Sequence, residues 1–271
     1  MAWQLTYKSP QPVPVEVEEI VPDRMADLSA DQVCRLPVMV GNRKVELGEL
    51  FDVSGRGDDL ALEFHGELEG VHWIGAGMSN GDIRIHGMAG RHIGSGMKGG
   101  HIRVLGNAGD WVGAEMKGGL IHVHGSAGHL VGAAYRGSRR GMTAGTILID
   151  GSVGNELGHT MRRGLIAVRE SAGDLIGFNM LAGTVLVFGD VGIRHGAGMK
   201  RGTLGFFGSG PKPLLPTFRF ACRSRPLAIN LLLRQLAALG FEFEGRLLND
   251  TFDIYNGDFI AGGRGEALLT A

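Results

Sequence analysis

Imidazole is the side chain most ready to serve as a general base or a metal ligand near neutral pH, and this chain carries ten histidines. His122 and His124 alternate within "LIHVHG", and a period of two puts both rings on one face of a strand. One repeat length away, Arg103 and Leu148 flank His122, whereas Leu105 and Asp150 flank His124. His92, His129 and His195 fall at neighbouring but different repeat positions and not in consecutive copies. No metal site is therefore expected. A Ser-His-Asp arrangement is unsupported too, because Ser126, Ser152, Ser171 and Asp190 fall at turns after strands, where such residues are turn formers. "GAGMSNG" resembles a phosphate loop only superficially, since its glycines recur in every copy. No catalytic, cofactor-binding or metal-binding residue is assigned.

A basic file is better defined. The position after a recurring methionine reads Lys98, Lys117, Thr143, Arg162, Leu181 and Lys200, and the next adds Arg163 and Arg201. An inserted loop contributes Arg136, Arg139 and Arg140. One reading is a solvated edge. The other is a contact surface for an acidic partner or an anionic ligand arm, and these nine cations are the candidate partner-contact residues.

What positions them is a repeat. Glycine recurs at Gly81, Gly100, Gly119, Gly145, Gly164, Gly183 and Gly202, every step being 19 residues except the 26 from Gly119 to Gly145. The seven extra residues lie in "AAYRGSRRGMTAG". Met78, Met97, Met116, Met142, Met161, Met180 and Met199 each precede a leading glycine by three residues, and Gly75, Gly94, Gly113, Gly132, Gly158, Gly177 and Gly196 form another file. The second and fourth residues after each leading glycine are apolar: Ile83/Ile85, Ile102/Val104, Ile121/Val123, Ile147/Ile149, Ile166/Val168, Val185/Val187 and Leu204/Phe206. That alternation predicts one half-buried strand per copy. Helical repeats need 33 or more residues per unit. A right-handed parallel β-helix of about seven coils is the expected fold, with equivalent residues stacked about 4.8 Å apart. The hexapeptide-type left-handed β-helix fits a 19-residue period poorly.

Residues 1–59 show no repeat and are expected to form an N-terminal cap, with short strands in "VPVEVEEI", "LPVMV" and "KVELGELFDV" and a short helix around "SADQVCRL". Residues 60–208 form the repeats. Residues 209–271 hold a C-terminal helix, "PLAINLLLRQLAALG", and a tail packing on the solenoid. That helix is apolar almost all round, so two surfaces are expected to sandwich it. The outward strand position changes along the chain from Arg84, Arg103 and His122 to Leu148, Ala167, Leu186 and Gly205. An apolar file needs a cover, and the helix alone or together with a partner protein would supply one.

Composition bounds the rest. Glycine, at 47 of 271 residues, is more than twice as frequent as usual. A formal net charge of −1 argues against a general binder of nucleic acid or membrane surfaces. Cys34 and Cys222 are too few for a disulfide scaffold or an iron–sulfur cluster. The N-terminal residues carry no signal pattern and no apolar run approaches a membrane span, so a cytoplasmic location is expected.

The glycine files, the segment "LPVMVGNRKVELGELFDVSG" and the ending "YNGDFIAGGRGEALL" together resemble the C-subunit family of formylmethanofuran dehydrogenase. They look closest to its bacterial relatives in the formyltransferase/hydrolase complex of methylotrophs. The glycine repeat alone also resembles the C-terminal β-helix of glutamate synthase large subunits. The resemblance implies a non-catalytic scaffold in one-carbon metabolism and formaldehyde degradation. Its partners would be an amidohydrolase-like A-subunit, a B-subunit and a formyltransferase D-subunit. Between them a formyl group passes from formyl-tetrahydromethanopterin to methanofuran, and formylmethanofuran is hydrolysed to formate. Methanofuran, tetrahydromethanopterin and a metal ion, expected to be zinc, belong to those partners and not to this chain. Arg outnumbers Lys 21 to 6, which favours a GC-rich bacterial source over a methanogen's tungsten or molybdenum dehydrogenase. A β-helix acyltransferase using a histidine base is the enzyme alternative.

Overall fold

The alternating Ile and Val pairs become strands, and identical positions lie on top of one another. The structure is a computed structural model describing residues 2–57 and 59–270. Its N-terminal part gives β1 (Trp3–Tyr7), β2 (Val15–Glu16), the short helices α1 (Pro22–Met25) and α2 (Ala30–Cys34), β3 (Pro37–Val40), β4 (Arg43–Glu46), α3 (Leu47–Leu50) and β5 (Phe51–Ser54). The repeats supply β6 (Ala61–His65), β7 (Val71–His72), β8 (Asp82–His86), β9 (His101–Val104), β10 (Lys117–Val123), β11 (Ala144–Ile149), β12 (Leu165–Val168), β13 (Thr184–Val187) and β14 (Arg201–Phe206). β15 (Arg219–Ser224), the helix α4 (Leu227–Ala238), β16 (Phe252–Gly257) and β17 (Arg264–Thr270) follow.

The protein is mostly β, with one large sheet of thirteen strands in the order β15-β16-β17-β14-β13-β12-β11-β10-β9-β8-β6-β1-β5. From β6 to β14 every pairing is parallel, and Ile83, Ile102, Ile121, Ile147, Ile166, Val185 and Leu204 stand in one file. A second ladder of single parallel bridges joins Leu68, Ala89, Ala108, Ala127, Val153, Ala172 and Val191. Both ladders advance by one repeat at each step. All seven file methionines have no exposed surface, and the inward Ile and Val pairs are buried with them. Each such side chain contributes about 1.5–3 kcal/mol through burial.

The corners use the left-handed backbone in two ways. Gly113 and Gly177, at φ +62° and +68°, face the next repeats so closely that a Cβ on Gly113 would collide with Ile147 and one on Gly177 would lie 2.9 Å from Leu204 Cδ2. The second corner has no glycine to announce it. Trp73, His92, Trp111, Leu130, Glu156, Leu175 and Arg194 all hold φ between 60° and 66°. A non-glycine there costs about 1–3 kcal/mol and persists only where the surroundings fix it. Here the fixing is a ladder: Trp73 N–H donates to Arg91 O, His92 N–H to Asp110 O and Trp111 N–H to His129 O, at 2.9–3.0 Å.

Both ends of the large sheet are extended out of sequence order. β1 inserts beside β6 in parallel and takes β5 on its other side, antiparallel. The sequence pattern predicts no strand at Trp3–Tyr7. β17 pairs in parallel with β14, and β16 and β15 follow antiparallel. The α2 helix carries a capping box, Ser29 with Gln32. The α4 helix buries Ile229, Leu233 and Leu236 in a second core with Leu148, Leu165, Ala167, Leu186, Phe207 and Phe241. Its far side is open, since Leu227 and Leu231 are 73% and 58% exposed. The expected sandwich is thus replaced, in this chain, by cover on one side. The helix sits on the sheet at its Leu148–Leu186 file, and its polar Asn230 turns to Leu248 O at 2.6 Å.

Candidate functional site

The basic file is held by a backbone ladder. Lys98, Lys117, Thr143, Arg162, Leu181 and Lys200 each donate their N–H to the methionine carbonyl of the preceding repeat, at 2.7–2.8 Å. The six therefore lie in register along one edge, with Thr143 and Leu181 as gaps. Arg163 and Arg201 occupy the next position, and Arg201 pairs with Arg264 of β17. Sequence reasoning missed Arg264 because β17 lies outside the repeat. Lys98, Lys117, Arg163, Lys200 and Arg201 are exposed or partly so, and Arg162 is half-buried. Among the described residues no carboxylate lies within ion-pair distance of these cations. Arg136, Arg139 and Arg140 are exposed on the inserted loop, which rejoins the repeat at Met142, just ahead of Thr143.

The root of that loop is built on rings. Tyr135 packs on Trp111 at 4.7 Å, and His92 stacks on Trp73 at 4.2 Å. The Tyr135 hydroxyl reaches His92 Nδ1 at 2.8 Å and Ser95 Oγ at 2.6 Å. Burial, with help from the Arg91 charge, pushes His92 down to about 4, so the ring is neutral near pH 7. Burial likewise pushes Tyr135 up to about 12 despite the Ser95 hydrogen bond. Sequence reasoning missed this cluster. The signal that could have found it is the aromatic run Trp73, His92, Trp111 at 19-residue spacing, with Tyr135 opening the insertion.

Several other histidines serve the backbone. His129 Nδ1 accepts Asn155 N–H at 2.8 Å, and Asp110 Oδ1 accepts His129 N–H at 2.7 Å. Ser126 and Ser152 do the same for the next repeat, and Asp190 accepts Gly210 N–H. His195 is fully buried between Ile176 N–H and Gly192 O, and burial lowers its pKa.

Two groups could hold a metal ion by side-chain type and proximity: Glu63, His65 and His86, and His122, His124 and Asp150. In the first, His86 Nε2 is 2.7 Å from Glu63 and His65 Nε2 is 2.6 Å from Gln4 Oε1. In the second, Asp150 meets His122 Nε2 at 3.1 Å and His124 Nδ1 at 2.8 Å. Burial alone would raise Asp150, but the two imidazoles outweigh it and hold the carboxyl below its usual range. His122 also lines a cleft of about 440 Å³ with Glu63, Asp82, Arg84, His101, Arg103 and the end of α4 at Ala238 and Leu239.

A stack of glycine-marked repeats is a class defined by its backbone. The chain belongs to the GXGXG-motif family, whose model matches residues 69–211, just over half its length. It is similar to the C-subunit of the molybdenum-containing formylmethanofuran dehydrogenase 1 of Methanothermobacter marburgensis, 40% identical over 91 residues, which are 33% of this chain and 23% of that protein. The C-subunit of the tungsten-containing formylmethanofuran dehydrogenase 2 from the same organism is 35% identical over 93 residues, 33% of this chain and 34% of the relative. The matched segments span only a quarter to a third of these relatives. Among solved structures, a chain of the formyltransferase/hydrolase complex of Methylorubrum extorquens, determined with methylofuran, superposes with a TM-score of 0.92. It is 34% identical, and the match covers 99% of both chains. The resemblance read from the glycine files and the two flanking segments is thereby shown.

Proposed function

We propose that this chain is the non-catalytic scaffold of a formyltransferase/hydrolase complex. In that complex a formyl group would move from formyl-tetrahydromethanopterin to methanofuran, and formylmethanofuran would be hydrolysed to formate. The observation that carries this reading is the 99% two-way match to a chain of such a complex. The use of His129, His195 and the turn serines as backbone acceptors also supports a structural role. The repeats, residues 60–208, are read as a right-handed parallel β-helix between the cap at 1–59 and the tail at 209–271. The two parallel ladders, each advancing one repeat per step, support that architecture. The A-, B- and D-subunits would bring the amidohydrolase and formyltransferase centres with their methanofuran, tetrahydromethanopterin and zinc. The basic file would dock an acidic face of one of them. Among the described residues no helix is long and apolar enough to cross a membrane, and a cytoplasmic site is proposed.

The test is reconstitution. Purified alone, the chain should neither transfer nor hydrolyse formyl groups, and both activities should appear only when it co-purifies with its partners. Turnover by the isolated chain would overturn the reading. The 40% identity over 91 residues to a dehydrogenase component favours a second reading, a tungsten or molybdenum formylmethanofuran dehydrogenase. Molybdenum or tungsten in the purified assembly would select it.

A further inference from the structure

We propose that His122, His124 and Asp150 bind a divalent transition-metal ion of the zinc class, a site independent of the scaffold reading. The three side chains come from the C-terminal ends of two adjacent strands, β10 and β11. His122 lies on β10 and His124 directly follows it, with their rings in contact on one face, and Asp150 follows β11, whose Ile149 pairs with Val123. The two rings are tilted by 41° with centroids 4.1 Å apart, and both present a nitrogen to the same carboxylate, at 3.1 and 2.8 Å. Donors bound at about 2.0–2.2 Å to one tetrahedral ion sit roughly 3.4 Å from each other, and the three ligand atoms here all lie within 4.8 Å of one another, so the trio is gathered close to that spacing.

The surroundings fit a cation. The His122 and Asp150 side chains are only 10% and 13% exposed, whereas His124, at 37%, leaves an entry. The C-terminal end of α4, a twelve-residue helix, lines the same cleft as His122 and presents the negative end of its dipole. Arg169 donates from Nε to Asp150 O, but its charge is matched by Glu242 at 3.1 Å. Arg103, paired across the strand from His122, is a nearby cation that opposes the ion. Three protein donors leave coordination positions for water, the arrangement that imidazole and carboxylate give zinc, nickel or cobalt. The other histidine pair has this geometry only in part. His86 Nε2 lies 2.7 Å from Glu63 Oε2 but His65 Nε2 stands off at 3.7 Å and is held by Gln4 at 2.6 Å, and the two rings are stacked within 14° of parallel.

The experiment is titration of the chelator-treated full-length chain with Zn²⁺, followed by calorimetry, and with Co²⁺, followed by its visible absorption. The expected result is one equivalent bound. His124→Gln and Asp150→Asn should each weaken binding by at least about tenfold, and His86→Gln should leave it unchanged. His124 is the exposed member, so its variant should keep the wild-type melting temperature and test the site without a folding defect. Absence of stoichiometric binding would overturn the proposal. So would binding that survives His124→Gln, or binding lost in His86→Gln.

Discussion

Early and late repeats share an interior and differ outside. Ile102 and Val185 fill the same inward position with almost no exposed surface. One residue further on, the outward position is Arg84 and Arg103, both exposed, in the early repeats and Leu148, Ala167 and Leu186, all fully buried under α4, in the late ones. The backbone ladder is common to both, so the outward file alone decides which part carries a second core and which keeps a charged, open face. In a stacked fold the interior specifies the repeat and the exterior specifies the neighbour.

The largest expected effect strikes what the two regions have in common. Gly113→Val and Gly177→Val place a branched side chain at φ +62° and +68° against Ile147 and Leu204 of later repeats. Strain and overpacking together should cost roughly 3 kcal/mol or more, with Gly113 the worse of the two. Thermal denaturation should register this as a fall of about 2–4 °C for each kcal/mol. Unchanged melting in both variants would break the register described here.

The second prediction separates the regions. Leu233 of α4 has no exposed surface and packs over the late outward file. Leu233→Ala should cost about 2–5 kcal/mol by chemical denaturation. Arg103→Ala, in the matching early outward file, should stay within about 0.5 kcal/mol. Equal costs would mean that the early face is covered too.

The third concerns assembly at the basic edge. A single exposed ion pair contributes about 0–1 kcal/mol, so one substitution there should do little. Reversing Arg162, Arg163, Lys200 and Arg201 together to Glu should weaken co-purification with the partner proteins, and the defect should change with ionic strength. A folded quadruple variant that still co-purifies at low salt would leave the edge merely solvated.

What the sequence discloses and what it hides follow from periodicity. The files of Ile, Met and Gly are legible because each repeat places the same side chain in the same surroundings, so one environment is written seven times. β1 and β17 are not legible, since each joins the sheet through a pairing with no repeat behind it; β17 meets β14 about sixty residues back along the chain. Arg264 is missed for the same reason. The left-handed corner at Trp73, His92 and Trp111 is hidden because nothing in those side chains announces positive φ; the ladder holds them there. By repeat spacing Asp150 is a neighbour of His124 alone. Only side-chain geometry shows it reaching His122 as well.

The smallest predicted effect is a pH dependence seated in the early repeats. His92 is held near 4, mainly by burial and then by the Arg91 and His72 charges, with Asp110 opposing. In the unfolded chain its value returns to about 6.5. Between these values the unfolded chain binds a proton that the folded chain refuses. Stability from a neutral His92 is therefore fully present above about pH 6.5 and is lost as the pH falls towards 4. The neighbouring His72 is lowered by burial as well, and so is His195 at the far end, so part of the loss should remain when His92 is removed. At the late end of the same corner file His195 follows Arg194 and accepts the Ile176 N–H beside Leu175, so that corner holds a depressed imidazole of its own. Melting temperature should accordingly drop across pH 6.5–4 in the wild type and drop less in His92→Phe, which keeps a ring between Trp73 and Trp111 but gives up the Tyr135 hydrogen bond. In hydrogen exchange His92→Phe should lose the acid-induced loosening around Trp73 and Tyr135 and keep it at the Leu175 corner. Superimposable pH profiles for the two proteins would mean that His92 is protonated at no cost to the fold, and the acid response would then rest on His72 and His195.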